Sequence, residues 1–347
     1  MDDPEPRITE ISTAVPALDF DADYQAWVAR QLDGKREAAL YARMADRSGI
    51  AHRWSVLESE DARLEEGRGL YANGPVSTGE RMKLYARYAP DLAMQAIEGL
   101  SDTSGITHLV VASCTGFVAP GIDQIIARRM GLAPNVERVL IGFMGCYAAV
   151  TALRTARHIV RSEPRAKVLV VTVELSSLHH QEDTQLEALL ARAQFGDGAA
   201  AALVRGEGGG LRLDEGLSAA LDETADLITW HIGDTGFEMH LSGEVPGHIA
   251  QALADPALRE RIGGTEQAFA VHAGGRSILD AVERGLQLPT DALRHSRGVL
   301  HDFGNMSSST LMFVLQRVLA DRPAQGAALA FGPGLAMEGF RFGWSDA

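Results

Sequence analysis

Short continuous apolar runs along the chain alternate with stretches whose apolar positions recur every three or four residues. His108 to Ala112, Val168 to Val171 and Ala199 to Val204 are rich in β-branched or small side chains, the pattern of strands buried on both faces. Tyr147 to Leu153 and Ser307 to Phe313 read as the openings of helices. The alternation predicts a layered α/β protein. A glycine-rich break, Gly206-Glu207-Gly208-Gly209-Gly210, follows the third run and predicts a seam between a half spanning 1–205 and a half spanning 206–347.

The two halves echo each other. In the first, one predicted strand ends in Ser113-Cys114-Thr115-Gly116 and another ends in Gly145-Cys146 and opens a helix. In the second, Phe269-Ala270-Val271 ends in His272-Ala273-Gly274, and a later predicted strand ends in Gly304-Asn305 ahead of the Ser307 helix. Cys114 and Cys146 stand 32 residues apart, His272 and Asn305 33, so the spacings match. Phe195-Gly196-Asp197-Gly198 late in the first half is answered by Phe331-Gly332-Pro333-Gly334 late in the second. An internally duplicated fold is expected.

Cys146 falls where a strand hands over to a helix, a place where free N–H groups and the helix dipole lower a thiol's pKa and favour the nucleophilic thiolate. Taken singly, Cys146 reads as an ordinary buried cysteine, His272 as a core histidine held by backbone, and Asn305 as a helix cap. Taken together, thiol, imidazole and amide at matching strand ends suggest acyl transfer. The glycines beside them leave room for a thioester arm.

Composition narrows the classes. A net charge of -14 excludes general nucleic-acid binding, which needs a cationic surface. The longest uncharged apolar stretch, Val139 to Leu153, has 15 residues, short of the roughly 18 to 20 of a membrane span. Met1-Asp2-Asp3-Pro4-Glu5 is acidic where a secretory leader is basic and then apolar, so a cytoplasmic chain is expected. Two cysteines make no zinc site, and His179 and His180 lack a third ligand at readable spacing, so no metal is expected.

The segments Gly142 to Ala149, Gln194 to Ala199, Val271-His272-Ala273-Gly274-Gly275 through Asp280, Gly304 to Ser308 and Phe331 to Gly334 resemble type III polyketide synthases, the chalcone and stilbene synthase-like enzymes. The opening Ile8 to Pro16 and the family order of these segments extend the resemblance over nearly the whole chain. It implies a thiolase-like fold of two duplicated halves with an α-β-α-β-α core. It also implies a homodimer that uses free coenzyme A thioesters, an acyl-CoA starter and malonyl-CoA, with no further cofactor and no carrier protein. By the same resemblance, Cys146 carries the starter and then the growing chain, while His272 and Asn305 stabilise the thioester carbonyl and the enolate left when malonyl-CoA loses carbon dioxide. Phe195 matches the gatekeeping phenylalanine, and Met239 stands at the second gatekeeping position. Arg43 and Arg47 match two basic residues that hold coenzyme A phosphates, with Leu40 where a third is often basic.

Other positions bear on the pocket. Cys114, beside Thr115, stands where plant relatives have threonine and bacterial ones often cysteine, and reads as cavity lining, a second thiol or a small buried residue. Ala119 replaces a larger residue that reaches the partner subunit's cavity in plant relatives. Ser176 opens a stretch, through Gln181, two residues shorter than in those relatives, and Gly332, Pro333 and Gly334 complete the expected pocket. The alternatives are a ketoacyl synthase III-like enzyme, whose histidine is usually followed by Gln-Ala-Asn where this chain has Ala273-Gly274-Gly275, a cysteine hydrolase with the same residue order, and a non-catalytic dimeric scaffold.

Overall fold

The computed structural model describes residues 5–32, 36–57, 69–71, 74–181 and 185–346. Met1 to Pro4, on which the cytoplasmic expectation leaned, lie outside the described residues. The chain enters through β1 (Arg7–Ala14). A short β2 (Leu18–Asp19), α1 (Asp21–Gln31), α2 (Arg36–Asp46) and β3 (Trp54–Ser55) follow, and β2 pairs with β3. Then α3 (Thr78–Glu98) starts at a capping box. Ser77 Oγ accepts from the Glu80 N–H and the Glu80 carboxylate accepts from the Ser77 N–H. The chain continues with β4 (His108–Ser113), α4 (Ile122–Arg129), β5 (Glu137–Gly142), α5 (Ala148–Ser162), β6 (Val168–Leu175), α6 (Leu186–Arg192) and β7 (Asp197–Arg205). Beyond the glycine-rich break come β8 (Gly210–Ala220), β9 (Ile228–Gly233), β10 (Gly236–Leu241), α7 (Val245–Leu253), α8 (Pro256–Ile262) and β11 (Ala268–Val271). Last are α9 (Arg276–Leu286), α10 (Arg294–Phe303), α11 (Ser309–Asp321), β12 (Gly326–Gly332) and β13 (Ala336–Ser345).

Nine strands form one sheet in the order β11-β12-β13-β8-β1-β7-β6-β4-β5. Its two groups meet only through Arg7 opposite Arg212 and Ile8 opposite Leu211. Because successive strand side chains point to opposite faces, each group buries both. Leu169, Val171 and Val173 of β6 pack with α3 and α4, whereas Val168 and Val170 pack with α5 and α11. In the other group Ala328 and Phe340 face α5 and α11, while Ala327 and Leu329 face α7 and α9. The layers therefore run α-β-α-β-α as expected, with α5 and α11 in the middle layer. Their buried stripes explain the placement: Ala149, Leu153, Ala156 and Val160 on one, Leu311, Val314, Leu315 and Val318 on the other.

The element order repeats. β4, α4, β5, Cys146, α5, β6 and β7 are matched by β11, α9, α10, Asn305, α11, β12 and β13. One expectation is corrected here: the segment ahead of Gly304-Asn305 is the helix α10 and not a strand. Ser296, Val299 and Leu300 are its buried positions, spaced by three and four, and only a helix puts that spacing on one face. Both Phe-Gly motifs lie in the connection between the last two strands of their group, Phe195 just ahead of β7 and Phe331 at the end of β12. Among the described residues, no helix is long and apolar enough to cross a membrane.

Candidate active site

Cys146 follows β5 and His272 follows β11, at the carboxyl ends of strands that run parallel to β4 and β12 respectively. The turns ahead of Cys146 and Asn305 are built alike. Gly145 has φ +78 and Gly304 φ +67, left-handed conformations that glycine adopts without a Cβ clash. Phe143 at φ 55 and Ser307 at φ 48 are non-glycine residues in the same region, a strain held in place by the surrounding packing. The Gly332-Pro333-Gly334 turn closes on the Cys146 turn. A Cβ on Gly145 would lie 2.4 Å from Pro333 Cδ, and one on Gly332 2.6 Å from Tyr147 Cδ1, so neither position has room for a side chain.

Asn305 is clamped through its backbone. Its N–H donates to Gln194 O at 2.8 Å and its carbonyl accepts from the Gly196 N–H at 3.0 Å, a short bridge flanking Phe195. Its side-chain oxygen accepts from the Ser307 N–H at 2.8 Å, which orients the amide. The nitrogen then donates to Gly274 O at 3.2 Å. His272 extends the β11 ladder, its N–H donating to Leu329 O at 2.8 Å. Its ring is buried, and neither ring nitrogen has a hydrogen-bond partner among the described residues. The ring lies beside Gly274, where a Cβ would sit 3.4 Å from Nε2. Imidazole and amide thus meet at Gly274. The Ser307 hydroxyl completes the surroundings at 4.0 Å from the sulfur.

Burial decides the protonation states. It pushes the Cys146 thiol up to about 12 and the His272 imidazole down to about 3. The expectation of a thiol acidified by the helix start is therefore corrected. Helix α5 begins at Ala148, and exclusion of water, with the Glu174 carboxylate nearby, outweighs the polar groups of Ser307 and Asn305 that favour the thiolate. The resting site holds a neutral thiol and a neutral imidazole, one of whose unpartnered nitrogens has a free lone pair.

Glu174, near the end of β6, was not foreseen. Its carboxylate accepts from the Cys114 N–H and the Thr115 hydroxyl, each at 2.9 Å, and from the Ser308 hydroxyl. Burial raises its pKa to about 7. The signal was available as one acidic residue inside Val168-Leu169-Val170-Val171-Thr172-Val173-Glu174-Leu175, since a carboxylate in a doubly buried strand must have partners. Cys114 is turned onto the Gly145 turn, whose N–H donates to its sulfur at 3.0 Å, and burial raises its thiol well above the usual range. Arg53, also unforeseen, is fully buried and donates to Phe195 O at 3.2 Å and Arg192 O at 3.3 Å while paired with Asp21. Asp197 of the first Phe-Gly motif accepts from the N–H groups of Ser177 and Val56, each at 2.8 Å.

Phe195 lines an inner cavity and its neighbour Gln194 an outer groove, and Cys146, His272 and Asn305 line neither. The inner one is lined by Ser176, Phe195 and Met239 with His179, His180, Trp230 and Phe237. His179 Nδ1 accepts from the Phe237 N–H at 3.1 Å, so its Nε2–H donates to Thr115 O at 2.7 Å, and its ring stacks on Phe237. The outer groove is lined by Arg47, Gln194, Arg276 and Ser277 with Met44 and Ile50. Arg43 and Leu40 are exposed on α2 and do not line it, and Ala119 is exposed on the loop after β4, outside both cavities. A histidine with two carboxylates at ligating distances, His108, Glu137 and Glu163, lies at the opposite end of β4 and β5 from Cys146.

The family model for the N-terminal domain of chalcone and stilbene synthases matches residues 14–208, and that for the C-terminal domain matches residues 213–342. The chain is 33% identical over 332 residues to an alpha-pyrone synthesis polyketide synthase-like protein, Pks18, of Mycobacterium tuberculosis, covering 89% of this chain and 83% of that one. The Mycobacterium bovis protein of the same name matches equally. Among solved structures, PKS-I of the brown alga Ectocarpus siliculosus superposes with a TM-score of 0.88 at 30% identity, covering 99% of this chain and 100% of that chain. The C-terminal type III polyketide synthase domain of Steely1 from Dictyostelium superposes with a TM-score of 0.86 at 24% identity, covering 98% of this chain and 99% of that chain, a likeness of fold.

Proposed function

The chain belongs to the chalcone and stilbene synthase family, the type III polyketide synthases, and on that premise we propose that it condenses malonyl-CoA repeatedly onto a starter held on Cys146. Cyclisation to a pyrone, resorcinol or naphthol type product would follow. In the loading step His272 takes the thiol proton as the sulfur attacks the starter thioester carbonyl. The C–S bond to coenzyme A breaks, and coenzyme A leaves as the thiol with that proton. In the extension step malonyl-CoA loses carbon dioxide, and the electron pair of the broken C–C bond becomes an enolate whose oxygen accepts from His272 and Asn305. The enolate carbon attacks the Cys146 thioester, the cysteine sulfur leaves, and the lengthened chain, now a coenzyme A thioester, is passed back to Cys146 by a second loading step before the next extension. Neutral N–H donors aimed at a developing oxyanion in a water-poor site are usually the largest catalytic contribution. The observation that carries the reading is a buried imidazole with no partner among the described residues, sharing Gly274 with the Asn305 amide, whose neighbour Ser307 reaches the Cys146 sulfur.

This chemistry asks for no metal or organic cofactor beyond the coenzyme A thioesters themselves. Phe195 and Met239 would gate passage from the outer groove to the inner cavity, and Arg47 would hold the coenzyme. We also propose halves spanning 1–205 and 206–347, supported by the narrow two-pair junction between the strand groups, and a homodimer. The dimer is supported by β5, the outermost strand, whose Val139 and Leu140 are exposed beside exposed Phe117. An unpaired strand edge with apolar side chains is a ready pairing surface.

The test is mass spectrometry of products from purified protein with malonyl-CoA, alone and with aromatic and short-to-long acyl-CoA starters. Pyrones, resorcinols or naphthols with several malonyl-derived units are expected. Free acids only would indicate hydrolysis, and one condensation strictly requiring acyl carrier protein would indicate fatty-acid synthesis.

A further inference from the structure

The outer groove has two cationic walls. Arg47 follows the end of α2 and Arg276 begins α9, and the Arg276 Nη1 donates to the Arg47 carbonyl at 3.1 Å. Among the described residues the Arg47 guanidinium has no carboxylate partner. The carboxylate nearest Arg276 is Asp280, 3.9 Å from Nε, and its other oxygen accepts from Arg297 at 2.6 Å. Asp280 is therefore committed to Arg297, and most of the Arg276 donor fork is left open. The groove wall also carries Asp280, but that carboxylate is held by Arg297, so the two guanidinium groups give the groove a cationic lining that favours an anion.

Both walls of the groove are continuous in sequence with residues of the site. On one side Gln194 lines it, and the next residue, Phe195, lines the inner cavity. The Gln194 carbonyl holds the Asn305 N–H, and its side-chain oxygen lies so close to Gly275 that a Cβ there would be 2.3 Å away. On the other side Arg276 and Ser277 come directly after His272-Ala273-Gly274-Gly275. An extended thioester arm entering past Gly274 and Gly275 would leave its far, anionic end between the two arginines. Arg43, on the exposed face of α2, does not line the groove, and Leu40 carries no charge.

Resting on the polyketide synthase reading above, we infer that Arg276 pairs with Arg47 to bind the phosphate groups of the coenzyme A thioester. Arg276 thereby supplies the cation that Leu40 does not. Guanidinium groups hold phosphate oxygens through paired N–H donors, and one such charge-assisted contact is worth about a factor of ten in affinity.

The experiment compares malonyl-CoA with the malonyl thioester of N-acetylcysteamine, which presents the same reacting atoms without the phosphates. Carbon dioxide release is the readout and needs no particular starter. In Arg276→Gln, kcat/KM for malonyl-CoA is expected to fall relative to that for the short thioester by about tenfold, mostly through KM. Arg276→Lys recovers part of the preference, and Arg284→Gln, the same charge loss at the far end of α9, leaves it intact. Calorimetric binding of coenzyme A itself follows the same order. An Arg276→Gln enzyme with the wild-type preference overturns the inference alone, as does an equal loss with both thioesters. A wild-type protein that neither releases carbon dioxide from malonyl-CoA nor binds coenzyme A overturns the functional reading beneath it.

Discussion

Cys146 and His272 each pay for burial in opposite directions, the thiol held up near 12 and the imidazole down near 3, so that neither is charged at rest. In the proposed reaction, charge develops only when a proton passes between them or when an enolate arrives. Cys146→Ala is therefore expected to abolish the acyl-enzyme seen by intact-protein mass spectrometry, with no polyketide formed. His272→Ala is expected to slow carbon dioxide release from malonyl-CoA by about a hundredfold or more, measured on the isolated decarboxylation. Gly145-Cys146, His272 and Gly304-Asn305 were legible as candidates, because glycine beside a polar residue at a strand or helix end is a local signal. Arg53 and Glu174 were not legible as parts of the site. Their importance comes from a carbonyl at Phe195 and an N–H at Cys114, which no local pattern connects to them.

Among the elements, β5 and α10 occupy matching places and differ in kind. β5 stays a strand because its residues pair with β4 along their whole length from Glu137 to Gly142. The matching stretch in the other group folds as a helix because its buried Ser296, Val299 and Leu300 recur at the i, i+3, i+4 spacing of one helix face. The sheet thus ends at β11 on one side and presents β5 on the other. Leu140→Glu puts a charge on that exposed edge, and a shift from dimer to monomer is expected in sedimentation, since a desolvated charge at a small apolar patch opposes association. An unchanged sedimentation coefficient would show that copies associate elsewhere or not at all.

For the whole molecule, buried ionisable groups set the response to pH. Glu174 is raised to about 7 and Asp197 to about 6, both by burial. A carboxyl group whose pKa is higher folded than unfolded binds more protons in the native state between those values. Its contribution is complete below the unfolded pKa and is lost as pH rises through the folded one. His179 and His272, both lowered to about 3 by burial, act with the opposite sign over the acid side of the same window. Glu174→Gln keeps an acceptor for Cys114 and Thr115 while removing the titration. The variant's thermal midpoint is therefore expected to lose less than the wild type's between pH 5 and pH 7.5. Parallel curves would mean that Glu174 does not titrate in that range.

The chain's own order of residues determined the α/β class, the duplicated pattern and the identity of the cysteine, histidine and asparagine. Alternating apolar runs and glycines beside polar residues act through neighbours a few positions away, and such effects are written locally. Tertiary structure alone decided the charge states, the partners of Glu174 and the choice of groove-lining arginine. Each of these depends on what water is excluded and which distant backbone groups arrive. Arg43 and Arg276 look alike as letters, yet one ends on an open helix face and the other beside Arg47 in a groove, because α2 and α9 meet only after the layers have packed.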